Sequence, residues 1–224
     1  MHRFALISLC LAIIFPAQAD TTQGLIAFNN GEYTKAISEF RAAANNGDPI
    51  AQLHMGHLYR EGLGDRIDYK QSAYWYLQAA KQDNTQAQSY LGLYYVDGIG
   101  VRQDFQLASH WLGLAAKAGD PAAQNSLASM FKNGLGQQPD YKKAAIWYEK
   151  AALQGHPIAQ RNLGRLYKKG RGVTANIIKA YAWFKVASEQ GNTNGTKNLR
   201  QLSAKMTEIQ VQSGDELAKT LPRR

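Results

Sequence analysis

Two residue pairs in this sequence have types and spacing that catalysis or metal binding could use. Ser129 and Lys132 form an S-x-x-K pair, in which serine can act as a nucleophile, but the partner motifs S-D-N and K-T-G are absent. His54 and His57 stand three positions apart, yet no third ligand has a characteristic metal-site spacing. No phosphate-binding G-x-x-x-x-G-K-[ST] loop is present. The sequence therefore predicts no catalytic residue, no metal site and no cofactor.

Positive charge is a stronger signal than either pair. The chain has a formal net charge of +9, and residues 159–194 alone carry +6, whereas residues 20–50 carry −2. Arg161, Arg165 and Lys168 lie on one predicted helix, and arginine can hold carboxylates or phosphates through two parallel hydrogen bonds. These residues could bind an acidic partner segment. A solvated basic face that only aids solubility is an equally open interpretation.

The first 19 residues resemble a signal peptide. A basic start at His2 and Arg3 is followed by a short apolar run from Phe4 to Phe15 and by the small-residue cleavage signal of residues 17–19. We therefore expect an exported chain that begins at Asp20, in the periplasm or outside the cell. Cys10 lies inside this leader, so the exported chain would have no thiol chemistry and no disulfide. Lipidation of Cys10 is disfavoured because Leu9 stands where a small residue is expected.

A 36-residue repeat organises the remainder of the chain. All four tryptophans fall in one register, and alanines and glycines recur at the same offset. The tryptophans are Trp75, Trp111, Trp147 and Trp183. Self-similarity at this period is typical of a solenoid. We predict repeats at residues 51–86, 87–122, 123–158 and 159–194.

Each repeat is predicted to contain two helices. Gly62 and Gly64 would end the first helix and allow a tight connection with positive φ. The second helix would begin after an N-cap at Asp68 and its equivalents, Asp104, Asp140 and Asn176. Asp48-Pro49 and Asp120-Pro121 combine an N-cap with proline at the first helical position, which predicts helix starts there.

Small residues in the middle of the first helix indicate close helix packing. Glycine costs a helix interior about 1 kcal/mol relative to alanine, so a packing reason is expected for its presence. The positions are Gly56, Gly92, Ala128 and Gly164. The tryptophans are interpreted as core residues between neighbouring hairpins, each able to bury roughly 150–250 Å².

Both ends of the repeat array show degenerate units. Residues 20–50 keep the helical rhythm with a tighter loop and are predicted to be a degenerate N-terminal repeat. Residues 195–224 are predicted to form C-terminal capping helices, with a capping box over 207–210 at the start of the last one. Terminal caps are what a solenoid requires.

The pattern of one unit consists of Ala87, Leu91-Gly92, Tyr95, Gly98, Gly100-Val101, Asp104, Ala108, Trp111, Ala115-Ala116 and Gly119. This pattern resembles the Sel-1-like repeat, a close relative of the tetratricopeptide repeat. The match covers residues 51–192. The sequence departs from the family pattern at three local sites. Asp83 stands in place of the glycine that closes the first unit, and Ala128 stands in place of the glycine in the first helix of its unit. Residues 174–176 loosen the N-cap of the second helix in the last unit.

The resemblance implies an all-α fold, a right-handed α-solenoid of antiparallel helix hairpins that acts as a scaffold for protein complexes, often in bacterial envelopes or signalling. It implies no reaction. In tetratricopeptide solenoids the first helix of each hairpin lines the concave groove, and analogy with that geometry selects candidate partner-binding residues. They are His57, Arg60, Leu93, Lys132, Arg161, Arg165, Lys168 and Lys197, accompanied by Leu53, Ser89, Val96, Asn125, Ser129 and Gln201.

Three functional classes remain open from the sequence. The leading hypothesis is a non-catalytic envelope scaffold that binds proteins or peptides, including acidic ones. The second is contact with an envelope polyanion, such as anionic lipid, lipopolysaccharide or exopolysaccharide, through the basic C-terminal units. A cell-wall or β-lactamase-like enzyme is a third class for which we find no residue constellation. Nucleic acid is not expected as a partner of an exported chain, and the sequence does not indicate an oligomeric state.

Overall fold

The computed structural model describes residues 21–223, and within them the chain forms twelve α-helices and no strand. The predicted signal peptide lies outside the described residues. The helices are α1 (Thr21–Asn29), α2 (Tyr33–Asn45), α3 (Pro49–Glu61), α4 (Tyr69–Ala80), α5 (Thr85–Asp97), α6 (Phe105–Lys117), α7 (Pro121–Asn133), α8 (Tyr141–Leu153), α9 (Pro157–Lys169), α10 (Ile177–Glu189), α11 (Thr193–Ser203) and α12 (Glu208–Thr220). None of these helices is long and apolar enough to span a membrane.

Consecutive helices pack as antiparallel hairpins that stack into a right-handed α-solenoid, as the sequence predicts. We call α1, α3, α5, α7, α9 and α11 the A helices, and α2, α4, α6, α8 and α10 the B helices. Each B helix packs against the A helix before it and the A helix after it. Several successive A helices also touch each other directly, namely α1 with α3, α5 with α7, and α9 with α11.

The predicted helix boundaries are confirmed at their caps. Asp68, Asp104, Asp140 and Asn176 each accept a backbone N–H of the B helix that they precede. Asp48 and Asp120 cap A helices that begin with proline. Gly62 has φ 66° and Gly64 has φ 77°, so both adopt the left-handed backbone expected of them. Asp83, where glycine is missing, has φ 60° and is the one non-glycine residue with positive φ in the described chain.

The small residue in the middle of each A helix lies against a large residue of the following B helix. A Cβ added at Gly56 would clash with the ring of Tyr76, and one at Gly164 would clash with the ring of Phe184. Gly92 faces Leu112 in the same way. The missing side chain allows the two helices to approach, which explains why glycine is present despite its helix cost.

The tryptophans pack between hairpins, as predicted. Trp75 lies in a cluster with Phe40 and Met55, residues of the two preceding helices, and Trp183 lies in a cluster with residues of α8 and α9. Trp75 and Trp183 are buried, whereas Trp111 and Trp147 are partly buried against neighbouring clusters. The four indole rings therefore contribute to the scaffold.

A buried glutamine joins the hairpins at a position that the sequence analysis did not single out. In every repeat its side-chain Nε2 donates to the carbonyl of the residue eight positions earlier, near the end of the preceding B helix, at 3.0–3.2 Å. The four residues are Gln52, Gln88, Gln124 and Gln160. Each amide is a second donor to its carbonyl, which also accepts a backbone N–H of the turn after the B helix.

The last helix, α12, does not form a hairpin with the helix before it, as the helices of the repeats do. Its capping box at Thr207 and Gln210 is present, as predicted. However, α12 packs on α10 instead of forming a close hairpin with α11. Asp215 accepts hydrogen bonds from Tyr181 and Lys185 of α10 at 2.9 and 2.6 Å. The packing of α12 on α10 shows in the burial of Ala182 of α10, which is fully buried. Ile146, at the equivalent position of α8, is 53% exposed.

Candidate binding surface on the A helices

Side chains of neighbouring A helices meet along seams, and two of these seams contain most of the predicted partner-binding residues. We define the N-terminal seam as His57 and Arg60 of α3 with Tyr90 of α5. We define the C-terminal seam as Asn125, Ser129 and Lys132 of α7 with Arg161, Asn162 and Arg165 of α9. The two seams use equivalent positions of the 36-residue repeat.

Aromatic rings surround His57 in the N-terminal seam. His57 Nδ1 lies 3.0 Å from the hydroxyl of Tyr76, and its ring centroid lies 5.0 Å from that of Tyr90, edge to face. Tyr76 and Tyr90 are stacked, with centroids 5.1 Å apart. His54 stacks on Phe40 at 4.9 Å, which extends the aromatic packing towards the N-terminal hairpin.

Both histidines are held in the neutral state near pH 7. Burial, helped by the nearby Arg60 and His54 and opposed by Glu61, lowers the pKa of His57 to about 4. Burial also lowers the pKa of His54. The described residues contain no group of three or more His, Cys, Asp or Glu side chains that could hold a metal ion. The two histidines are packing residues of an aromatic cluster.

Arg60 has its charge balanced within the N-terminal seam. Its guanidinium lies 4.6 Å from the centroid of the Tyr90 ring and pairs with Glu61 at 2.6 Å. Although burial opposes it, the surrounding tyrosines and Glu61 raise the pKa of Arg60. A cation over an aromatic face and beside a carboxylate is stabilised by both contacts.

The C-terminal seam is polar where the N-terminal seam is aromatic. Arg161 Nη2 donates to Asn162 Oδ1 at 2.9 Å, and Asn162 Nδ2 donates to Asn125 Oδ1 at 3.2 Å, so that a hydrogen-bonded row joins α9 to α7. The hydroxyls of Ser129 and the buried Tyr148 lie 2.7 Å apart. The row leaves Arg161 Nε buried and without a hydrogen-bond partner among the described residues.

The cations of the C-terminal seam lie close to one another. Burial lowers the pKa of Lys132, and repulsion from Arg165 and Arg161 adds to the effect. Burial and Arg165 lower the pKa of Arg161, while Tyr148 opposes the shift. Within residues 21–223, none of these three cations pairs with a carboxylate. The seam therefore holds positive charge that an incoming anion could neutralise.

The structure brings some of the predicted residues together and separates others. Lys132, Arg161 and Arg165 converge, as do His57 and Arg60. Leu93 is half-buried beside Val96 in the cluster of α6 and α7. Over the described range, Lys168 and Lys197 are exposed on α9 and α11 and form no hydrogen bond or ion pair.

Two of the accompanying groove positions were wrong. Leu53 and Ser89 are only 7% and 5% exposed, and Leu53 packs in a cluster with residues of α4 and α5. Both therefore serve packing and are not available to a partner.

Several residues that shape the seams were missed by the sequence analysis. Tyr90 and Asn162 share a repeat position, and they reach back to the preceding A helix. Tyr76 and Tyr148 also share a position and lie beneath the seams. The 36-residue register aligned these residues, but the periodicity alone does not show which side chain crosses to a neighbouring helix.

The S-x-x-K pair does not show the contact expected of an activated nucleophile. The hydrogen-bond partner of Ser129 Oγ is Tyr148, and no hydrogen bond joins Ser129 to Lys132 within the described chain. A serine nucleophile requires a base within hydrogen-bond reach.

Comparison with known proteins assigns the repeats to a family. The Sel1 repeat model matches residues 49–84, 85–120, 121–156 and 157–192. These ranges begin two residues before the repeats predicted from the sequence and coincide with the starts of α3, α5, α7 and α9. No curated protein matches the sequence at a significant level.

Solved structures share the architecture. A protective antigen of uropathogenic Escherichia coli with an SLR fold is 32% identical, with a TM-score of 0.80, and the match covers 88% of this chain and 44% of that chain. The chain thus spans less than half of that antigen. A Sel1 repeat protein from Oxalobacter formigenes is 26% identical, with a TM-score of 0.78, and the match covers 91% and 82% of the two chains. Sel1 repeat proteins generally act as protein-interaction scaffolds, and this chain belongs to the Sel1 repeat family.

Proposed function

We propose that this protein is an exported, non-catalytic scaffold of the cell envelope that binds a partner protein along its A helices. The observation that carries the proposal is the C-terminal seam, where Lys132, Arg161 and Arg165 converge and, among residues 21–223, none of them forms an ion pair. A partner segment rich in Asp or Glu would supply the missing charge. Charge-assisted hydrogen bonds to such a segment are about twice as strong as neutral ones.

The contact between successive A helices supports a concave groove on this side. In a curved stack, the elements on the inner side lie closest together, and direct contacts join the A helices α1 with α3, α5 with α7, and α9 with α11. An extended segment lying across the A helices could meet both seams. Repeat proteins commonly bind through such a concave surface.

The N-terminal seam offers a different kind of contact. Tyr90 is partly exposed, with Arg60 over its ring, and Leu93 and Val96 add half-buried apolar surface on the same helix. Aromatic residues and arginine are enriched at protein interfaces. We therefore expect a partner with an apolar or aromatic portion followed by an acidic one.

Polyanion binding is the second candidate function, and the charge of +6 over residues 159–194 favours it. Lipopolysaccharide, anionic lipid or an acidic exopolysaccharide could all meet this charge. The dependence of binding on salt concentration distinguishes the two candidate functions. Binding to a polyanion through exposed charges should fall steeply with ionic strength, whereas a groove with apolar contacts should retain its partner.

The test combines crosslinking with charge reversal. The exported protein is crosslinked in its native compartment, attached proteins are identified, and the identified partner is then bound to pure protein. The variant Arg161→Glu/Arg165→Glu/Lys168→Glu should lose the partner. A matched reversal of exposed lysines on the B helix α8, Lys142→Glu/Lys143→Glu/Lys150→Glu, should keep it. Equal binding by wild type and the seam variant would refute the proposal.

A separate assay tests whether the protein is an enzyme. Pure protein is incubated with a chromogenic β-lactam and compared with the Ser129→Ala variant. We expect no turnover by either protein. Hydrolysis by the wild type that is lost in Ser129→Ala would contradict the scaffold proposal.

A further inference from the structure

A small pocket opens beside the C-terminal seam, at the end nearest the loops that join A and B helices. Its walls are formed by Lys132, Asn162, Arg165, Leu166, Lys169, Arg171 and Tyr141. These residues come from α7, α8, α9 and the loop after α9. Four of the seven are cations, and none is an acid.

The size of the pocket limits what it can hold. Its volume is about 40 Å³. At about 10–15 Å³ for each water molecule on this measure, it has room for roughly three or four waters. A carboxylate or a phosphate group fits such a space, whereas a sugar ring does not.

Contacts with neighbouring side chains hold several residues of the pocket wall in place. Arg161 and Asn125 hold the Asn162 amide from both sides. The Arg171 guanidinium lies 5.3 Å from the centroid of the Tyr141 ring and 3.4 Å from its hydroxyl. Within residues 21–223, neither Lys132, Arg165 nor Lys169 pairs with a carboxylate. Cations kept close together without an acid indicate a site for an anion.

We infer that this pocket, on the proposed scaffold surface, binds a carboxylate of an acidic peptide segment, either an Asp or Glu side chain or a chain terminus. The inference rests on the proposed function and names the group that the partner inserts. Leu166 and Tyr141 give the pocket an apolar wall that suits the methylene stem of such a side chain.

Charge outside the pocket favours a peptide over a single phosphate. Arg161, with its buried and unpartnered Nε, stands next to Asn162 but does not line the pocket. One phosphate group, with a charge of about −2, would leave about half of the pocket's positive charge and that of Arg161 without a counter-charge. An extended peptide places side chains of one face about 6.6–6.8 Å apart, so two acidic residues could reach both the pocket and Arg161.

The probe is a fluorescein-labelled synthetic peptide of alternating Asp and Glu, bound to the exported protein and followed by fluorescence anisotropy. The pocket variant is Lys169→Gln/Arg171→Gln, which spares the three residues reversed in the test of function. The matched control, Arg200→Gln/Lys205→Gln, removes the same charge from exposed positions of α11 and its end. Thermal melting verifies that both variants fold.

We expect the pocket variant to weaken peptide binding at least tenfold and the control to weaken it less than twofold. A peptide with Asn and Gln in place of the acids should not bind. Equal weakening by both variants would overturn the inference, since net charge alone would then explain binding. Displacement of the peptide by equimolar inorganic phosphate, or binding of phosphatidylglycerol vesicles that the pocket variant abolishes, would also overturn it.

The two proposals fail separately. In one outcome, the variant Arg161→Glu/Arg165→Glu/Lys168→Glu no longer binds the crosslinked partner, whereas Lys169→Gln/Arg171→Gln binds it with full affinity. The scaffold function would then stand while the pocket inference falls. Retention by both variants would refute the scaffold proposal itself.

Discussion

The two seams occupy equivalent positions of the same repeat, yet only one of them neutralises its own charge. Arg60 in the N-terminal seam lies over Tyr90 and pairs with Glu61. Lys132, at the equivalent position of the C-terminal seam, faces Arg161 and Arg165 instead. The packing beneath is alike, since a buried tyrosine of the B helix supports each seam. The repeat thus fixes the backbone, and the variable residues determine what each seam can bind.

We expect the largest difference between the two seams at acidic pH, where protonation of His57 destabilises the N-terminal seam. The folded-state pKa of His57 is about 4, below the value near 6.5 expected in the unfolded chain, so the unfolded state binds the proton more readily. The stabilising contribution of the neutral ring is present above pH 6.5 and is lost as the pH falls towards 4. We expect a loss of about 3 kcal/mol in unfolding free energy at pH 4 from this residue.

Denaturant unfolding of wild type and His57→Gln from pH 7 to pH 4 measures this loss. Glutamine stays neutral and can still accept from the Tyr76 hydroxyl, so the variant should lose less stability over that range. Parallel pH profiles for the two proteins would show that the aromatic packing does not depend on a neutral His57.

Helix spacing at the N-terminal seam is the next test. Gly56→Ala adds a Cβ that must displace the buried ring of Tyr76, so we expect a loss of about 1–2 kcal/mol despite the better helix propensity of alanine. Gly113→Ala is the matched control, because nothing lies within 4 Å of a Cβ at Gly113 of α6. That variant should gain about 0.5–1 kcal/mol. Denaturant midpoints measure both, and changes of the same sign would contradict the packing explanation.

The smallest expected effect comes from transferring a carboxylate between the seams. Asn133 is the repeat equivalent of Glu61, so Asn133→Glu should give Lys132 an acid such as Arg60 has. We expect a stability gain of no more than about 0.5 kcal/mol, because partly exposed ion pairs contribute little. Binding of the acidic probe peptide should weaken in the same variant. Unchanged peptide affinity would show that the charge of Lys132 is not available to a ligand.

The sequence predicted the scaffold better than the seams, for a physical reason. Caps such as Asp68 and left-handed glycines such as Gly62 satisfy local backbone requirements, and local requirements leave a local pattern. Contacts across a seam join residues about 30–40 positions apart, such as Asn125 and Asn162, and depend on how two helices are rotated towards each other.

The C-terminal helix also shows that long-range contacts are not readable from a local sequence pattern. Its capping box predicted where α12 begins, but the docking of α12 on α10 depends on long-range pairs such as Lys185 with Asp215. The buried glutamine was different, since its 36-residue recurrence at Gln52 and Gln88 was visible in the sequence and its role as a link between hairpins followed only from the structure.

Site-specific photo-crosslinking tests the central claim most directly, because it reports where a partner lies. A photoreactive amino acid is placed at Lys168 on α9, at Tyr90 on α5, or at Ile146, which is exposed on the outer side of α8. The protein is then irradiated in its native compartment. We predict crosslinks to one partner from positions 168 and 90, and none from position 146. Crosslinks to that partner from position 146 alone would contradict binding along the A helices.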